Sequence, residues 1–206
     1  MAQPIEIKYP KLLLVEGADA LHFFIKALEV FGVNDVQVLD FGGISDLTKY
    51  LKALLLYQNF DSVTSLVIAR DAEKNSDSAI SNVKKALEQI SLSIPEKPFE
   101  FTGNNPKIAF MIFPGFDEAG LQSGTLEDLC LDIVKDCSSF DCVDAYIQCL
   151  QSNGYEIKQP HKTKLHTYLS GKNNFVGLKI GEAAKAGAWD WEHTKLKPFK
   201  DVIIAM

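Results

Sequence analysis

The feature that most constrains this chain is a repeated change of hydrophobic period across its first 112 residues. Leu12-Leu13-Leu14-Val15 is a continuous apolar run, the pattern of a strand covered on both faces. After Glu16-Gly17 the spacing becomes helical, at Leu21, Phe24, Ile25, Leu28 and Phe31, and Gly32 closes the stretch as a C-cap. The same change recurs. Residues 36–39 read as a strand, and Leu47, Leu51, Leu54 and Leu55 as a helix. Residues 65–69 form a third apolar run, followed by a helix carrying Ile80, Val83, Leu87 and Ile90 that Ser76 or Asp77 would cap. Residues 107–112 are a fourth. Strand and helix alternating over short connections predict right-handed crossovers and an α/β fold. The expected sheet is mainly parallel, of four or more strands, and flanked by helices.

The Pro-broken stretch 91–103 reads as a connection with room for a short edge strand. Beyond residue 112 only the helical period recurs, at roughly 126–134, 140–150, 162–169 and 178–186, punctuated by Gly154, Gly171 and Gly187. The expected division is an α/β domain over 1–135 and a helical C-terminal extension over 136–206, packed on the same domain. The end of the chain, from Trp189 and Trp191 through Ile204, reads as a last helix lying back on the sheet, with both tryptophans as core or interface anchors.

Composition narrows the classes. With 47% hydrophobic and 23% charged residues, disorder and fibrous repeats are excluded. No apolar run approaches the ~18 residues of a membrane helix, and MAQPIEIKYPK lacks the apolar core of an export signal, so a cytoplasmic protein without membrane contact is expected. Cys130, Cys137, Cys142 and Cys149 show no CxxC spacing and no intervening His, which speaks against zinc and for reduced, buried thiols on helices. Charge is uneven. Residues 1–150 hold 12 Lys and Arg against 22 Asp and Glu, and residues 151–206 hold 9 against 5. Polyanion contacts, if made, belong to the basic tail. There Lys162, Lys164, Lys172 and Lys179, interleaved with Tyr168 and Phe175, either track a phosphate backbone and stack bases or form a plain amphipathic surface. Every basic residue except Arg70 is Lys.

In an open parallel sheet, ligands collect at the carboxyl ends of the strands. Each predicted strand runs toward acids: Glu16 and Asp19, then Asp40, then Asp71 and Glu73, then Glu127 and Asp128. Such a rim is costly through mutual repulsion unless a cation sits in it, and hard oxygen donors favour Mg²⁺, Mn²⁺ or Ca²⁺. Acids at helix N-termini account for Asp19 and Asp128 without a metal. Gly17 permits a sharp turn after Glu16, and Gly42-Gly43 would let the second loop approach the rim. His22 stands near Glu16 and reads as a substrate contact or a helix-surface residue. No Walker motif and no G-x-S-x-G elbow is present.

In order, LLLVEGADALHFF, DFGGISDL, LVIARDAEKN and SGTLEDL resemble the Toprim (topoisomerase–primase) domain, over about residues 10–135. They are most similar to small stand-alone bacterial Toprim-like proteins, and secondarily to the Toprim part of the overcoming-lysogenization-defect nucleases. GEAAKAGAWDWEHTKLKPF also resembles the C-terminal segment of the small bacterial group. The resemblance implies a compact Rossmann-like sheet and Mg²⁺- or Mn²⁺-dependent phosphodiester chemistry on DNA or RNA, as a nuclease or nuclease-like subunit. It implies Glu16 as general acid/base or metal ligand, and Asp71 and Glu73 as metal ligands. Asp19 would correspond to an extra acid of the nuclease-like members, and Glu127 to their last acidic ligand. Gly17, Gly42, Gly43, Lys162 and Lys164 are the expected substrate contacts. Two positions differ from the family's pattern: Glu73 stands where Asp is usual, and Ala20 where close relatives carry a second acid. These differences, with the net charge of −6, motivate a second expectation. It is a catalytically inactive module of the same fold that binds or regulates a partner protein, such as an ATPase. A third is a phosphohydrolase on the same rim, and a homodimer is compatible with all three.

Overall fold

The computed structural model describes residues 6–206. Its centre is a four-stranded parallel sheet of β1 (Lys11–Val15), β2 (Val36–Asp40), β3 (Ser65–Asp71) and β4 (Lys107–Phe113), in the spatial order β2-β1-β3-β4. Val15 lies beside Asp40 on one side and Ala69 on the other, while Asp71 extends two residues further, level with Phe113. From β1 the chain first steps outward to β2, then returns past β1 to β3. The order reverses between β1 and β3, the switch point at which open α/β sheets bind ligands.

Right-handed crossovers running in opposite directions from a switch must lie on opposite faces. So α1 (Ala18–Phe31) packs on one face, and α2 (Leu47–Leu54) and α3 (Ser76–Glu88) pack on the other. The alternation of strand side chains follows. Leu13, Val15, Val67 and Ala69 join the core beneath α1, and Leu12, Leu14, Leu66 and Ile68 the core beneath α2 and α3. Every residue from Leu12 to Val15 is fully buried, as the continuous apolar run requires.

The α1 face is much the thicker one. It also receives α4 (Leu126–Val134), α5 (Phe140–Ser152), α6 (Pro160–Ser170), α7 (Ile180–Lys185) and α8 (Lys197–Ala205). The final helix lies back on the sheet as expected, with Phe199 stacked on Phe113 at 5.2 Å between ring centroids. Trp189 is buried, and Trp191 packs against Phe23 at 5.0 Å. In the connection before β4, the Phe99 N–H donates to the Phe110 carbonyl and Thr102 pairs with Ile108, which covers the outer edge of β4. The hairpin of β5 (Phe116–Asp117) and β6 (Gly120–Leu121) is too short to leave a periodic signal.

Two expectations are corrected. The helix after β3 is capped by Asn75, whose side chain accepts from the Ser78 N–H at 2.8 Å, one residue before the expected cap. The four cysteines are free, but only Cys130 is buried, and Cys142 and Cys149 are exposed on α5. Among the described residues, no helix is long and apolar enough to cross a membrane.

Candidate functional site

The switch point opens into a cavity of about 460 Å³. Its floor is the turn 16–20 after β1, and its far wall is the end of β3 with Asp71 and Glu73. Thr125, Leu126 and Glu127 at the start of α4 close one side, and Lys158 to Lys162 at the start of α6 overhang it. Five of the expected acids, Glu16, Asp19, Asp71, Glu73 and Glu127, therefore line one cavity, with Gly17 and Lys162.

Each acid is positioned by its backbone. Gly17 sits at φ 87°, a conformation that favours Gly, and turns the chain from β1 straight into α1. Its N–H donates to Asp40 Oδ1 at 2.9 Å, and the Gly42 N–H donates to the same oxygen at 2.8 Å. Asp40 is thus a bracket tying the ends of β1 and β2. Gly42 and Gly43 do not line the cavity; the glycines turn the β2 loop back onto Asp40 instead of toward the rim.

The carboxylate of Glu16 lies 3.6 Å from Arg70 Nε. Arg70 is only 1% exposed, and its Nε also donates to the Asp71 carbonyl at 3.1 Å. Burial lowers the affinity of this guanidinium for its proton, while the fields of Glu16, Asp71 and Glu73 hold it charged.

Asp71 Oδ1 accepts from the Leu126 N–H at 2.9 Å, at the N-terminus of α4 where the helix dipole favours an anion. Burial nevertheless pushes the Asp71 carboxyl up to about 7, and the charges of Glu16, Glu127 and Glu73 add to the rise. These acids repel one another across the cavity, as the sequence pattern implies.

Glu73 adopts φ 56°, and its N–H donates to the Gly124 carbonyl at 2.8 Å, pinning the end of β3 to the loop before α4. A side chain at Gly124 would be strained at its φ of 142°, and its Cβ would lie 2.8 Å from Asp128 Oδ2. Asp128 itself caps α4 with Thr125. Glu127 faces Lys162 at 3.5 Å. Asp19 Oδ1 accepts from the Gly181 N–H at 3.2 Å, which ties α1 to α7.

Among the described residues, no three His, Cys, Asp or Glu side chains stand close enough together to hold one metal ion as placed. The donors are all carboxylate oxygens, the chemistry a hard divalent cation takes. As placed, Glu16 is engaged with Arg70, Asp71 with the Leu126 N–H, Glu127 with Lys162 and Asp19 with the Gly181 N–H. Lys164 lies outside the cavity, paired with Asp144 on α5. Tyr168 is buried, Phe175 packs against the core, and Lys172 bonds Cys137, so the expected alternation of free lysines and stacking rings is not present. His22 is not in the cavity lining; it packs against Gly181.

Arg70, Lys74, Lys158 and His161 carry no motif or period that points to the site. The one signal in the sequence is a solitary arginine, in a chain that otherwise uses Lys, at the end of a buried strand.

Residues 10–205 match a family described as a protein of unknown function, DUF3226, and the chain belongs to that family. No curated protein and no solved structure matches it.

Proposed function

Starting from a family that carries no assigned activity, we propose that the switch-point cavity is a Toprim-like site for metal-dependent phosphodiester chemistry on nucleic acid. The observation that carries this reading is the convergence of Glu16, Glu73 and Glu127 around the buried carboxyl of Asp71, which is pushed up to about 7. Such a cluster has a standing electrostatic demand for a cation. Glu16, Asp19, Asp71, Glu73 and Glu127 are the residues that would hold Mg²⁺ or Mn²⁺. A hard divalent ion supplies charge neutralisation at phosphate and a more acidic bound water.

The chain's own residues contribute the rest. Arg70 holds the Glu16 carboxylate in place, and the Leu126 N–H orients Asp71. Lys74, Lys158 and Lys162 on the rim attract phosphate toward an otherwise negative cavity. Purified protein titrated with Mn²⁺ by calorimetry should bind it, and Glu16→Gln and Asp71→Asn should each weaken that binding at least tenfold. Unchanged affinity in both variants refutes the reading.

A second reading keeps the fold without the chemistry, as a binding or regulatory module working with a partner protein such as an ATPase. The Glu127–Lys162 pair at 3.5 Å favours it, because it occupies a ligand with an internal cation. Mn²⁺-dependent nicking of a plasmid or RNA, lost in Glu16→Gln, excludes this alternative.

A further inference from the structure

Lys162 and Gln159 belong to two cavities at once. One is the acidic pocket; the other, of about 590 Å³, runs on along the outer face of α6. Its lining repeats at helical spacing, with Lys162, Thr163, His166, Thr167 and Ser170 on one face and Tyr146 of α5 opposite. From Lys162 to Ser170 that face is about 12 Å long.

Charge sets this stretch apart. Between Glu156 and Glu182 the chain carries five lysines and two histidines and no acid, although the whole protein is net negative. Of these, Lys162 and His166 line the groove and no acid does, so a groove leading out of a carboxylate pocket in this way suits a polyanion that must be held beside the acids.

The side chains also say which form of polyanion fits. Tyr146 is 50% exposed and lines the groove, so its aromatic ring is accessible there. A ring of this kind stacks only on a base that is not already paired and stacked within a duplex. The Thr163 hydroxyl donates to the Gln159 carbonyl at 3.0 Å and the Thr167 hydroxyl to the Thr163 carbonyl at 2.8 Å. Their protons are therefore turned into the helix, and toward the groove both oxygens are acceptors. Acceptors repel phosphate oxygens and suit the amino groups of exposed base edges. Lys162, which also pairs with Glu127 at 3.5 Å, and His166 are the groove's contacts for the backbone.

We propose that the α5–α6 groove binds a single strand of DNA or RNA, stacks a base on Tyr146, and leads the strand past Lys162 into the acidic pocket. The proposal rests on the reading of that pocket as a phosphodiester site, but the groove can be tested without it. Fluorescence anisotropy in excess EDTA, with labelled mixed-sequence 12-nucleotide DNA and RNA and the matching DNA duplex, removes any metal contribution. The single strand, in either sugar form, should bind at least tenfold more tightly than the duplex.

Tyr146→Ala should weaken single-strand binding roughly tenfold, the range of one base–aromatic stack. Tyr146→Phe should keep it, and Tyr9→Ala, an exposed tyrosine just before β1 at the opposite end of the sheet, should change nothing. Lys162→Gln should weaken binding and flatten its salt dependence. Equal affinity for duplex and single strand, absent binding, or an unaffected Tyr146→Ala variant overturns the groove assignment. Each of these leaves the Mn²⁺ result at Glu16 and Asp71 to be judged on its own.

Discussion

Arg70 and Glu16 meet across the switch point, 3.6 Å apart, with the guanidinium 1% exposed and the carboxylate side chain 15%. They reach each other because both follow the even-numbered side of their strands. Leu12, Leu14 and Glu16 share one face of β1, and Leu66, Ile68 and Arg70 share the same face of β3. Removing one member of a buried ion pair costs about 3–5 kcal/mol, because the other charge remains desolvated. Arg70→Met is therefore expected to lower stability by roughly 3 kcal/mol at pH 8 in urea denaturation. Arg70→Met combined with Glu16→Gln should recover most of that loss. A double variant no more stable than Arg70→Met would show that the arginine acts through packing alone.

Asp71 makes stability depend on pH in a defined direction. Its carboxyl is pushed from 3.8 up to about 7 in the folded chain. Between those values the folded protein holds a proton that the unfolded chain has released. Stability therefore falls as pH rises from about 4 to about 7, and this contribution is level outside that window. Asn at this position carries no charge and can still accept from the Leu126 N–H. Asp71→Asn should thus match the wild type near pH 4, where both are neutral, and exceed it at pH 8 by roughly 2–4 kcal/mol. Thermal melts at the two pH values check this, and a pH-independent difference would disprove it.

How far the sequence reached can be seen at these same residues. The strand ends were legible because Val15, Ala69 and Ile112 close apolar runs that only a doubly covered strand tolerates. The acids just beyond them were consequently legible as a set. Sheet order was not, since periodicity says nothing about which strand lies beside which, and the β1–β3 switch emerges only from pairing. Side-chain engagement was equally hidden. Asp40 reads like any rim acid, yet its Oδ1 is committed to two backbone N–H groups. Lys164 and Lys162 are two residues apart on one helix and so face different neighbours, Asp144 and Glu127.

Gly181 shows a constraint that no motif announces. A Cβ there would lie 2.4 Å from the Cβ of His22, so α1 and α7 touch through the missing side chain. Gly181→Ala should destabilise the fold by about 1–3 kcal/mol, the usual cost of overpacking, and should loosen the Asp19–Gly181 bond. Because Ala keeps its Cβ, His22→Ala should not rescue Gly181→Ala in chemical denaturation. A rescue would place the clash further out on the imidazole and contradict the close approach.

Cys137 is set apart from the other thiols by its neighbours. Its Sγ lies 3.2 Å from Ser139 Oγ and 3.3 Å from Lys172 Nζ, and Lys172 in turn sits 5.2 Å above the Tyr168 ring. Hydrogen bonding by Ser139, then by Lys172, pulls the Cys137 thiol down to about 6, against the smaller upward push of burial. An ordinary free thiol ionises near ~8.5, so its alkylation rate still climbs steeply between pH 7 and 8. Iodoacetamide labelling of Cys137, followed peptide by peptide in a mass spectrometer, should instead level off above pH 7 with a midpoint near 6. Ser139→Ala should move that midpoint upward, and Lys172→Met should move it less. The order follows from which contact contributes most to holding the thiolate. A rate that keeps rising through pH 8 would mean that neither neighbour stabilises the anion.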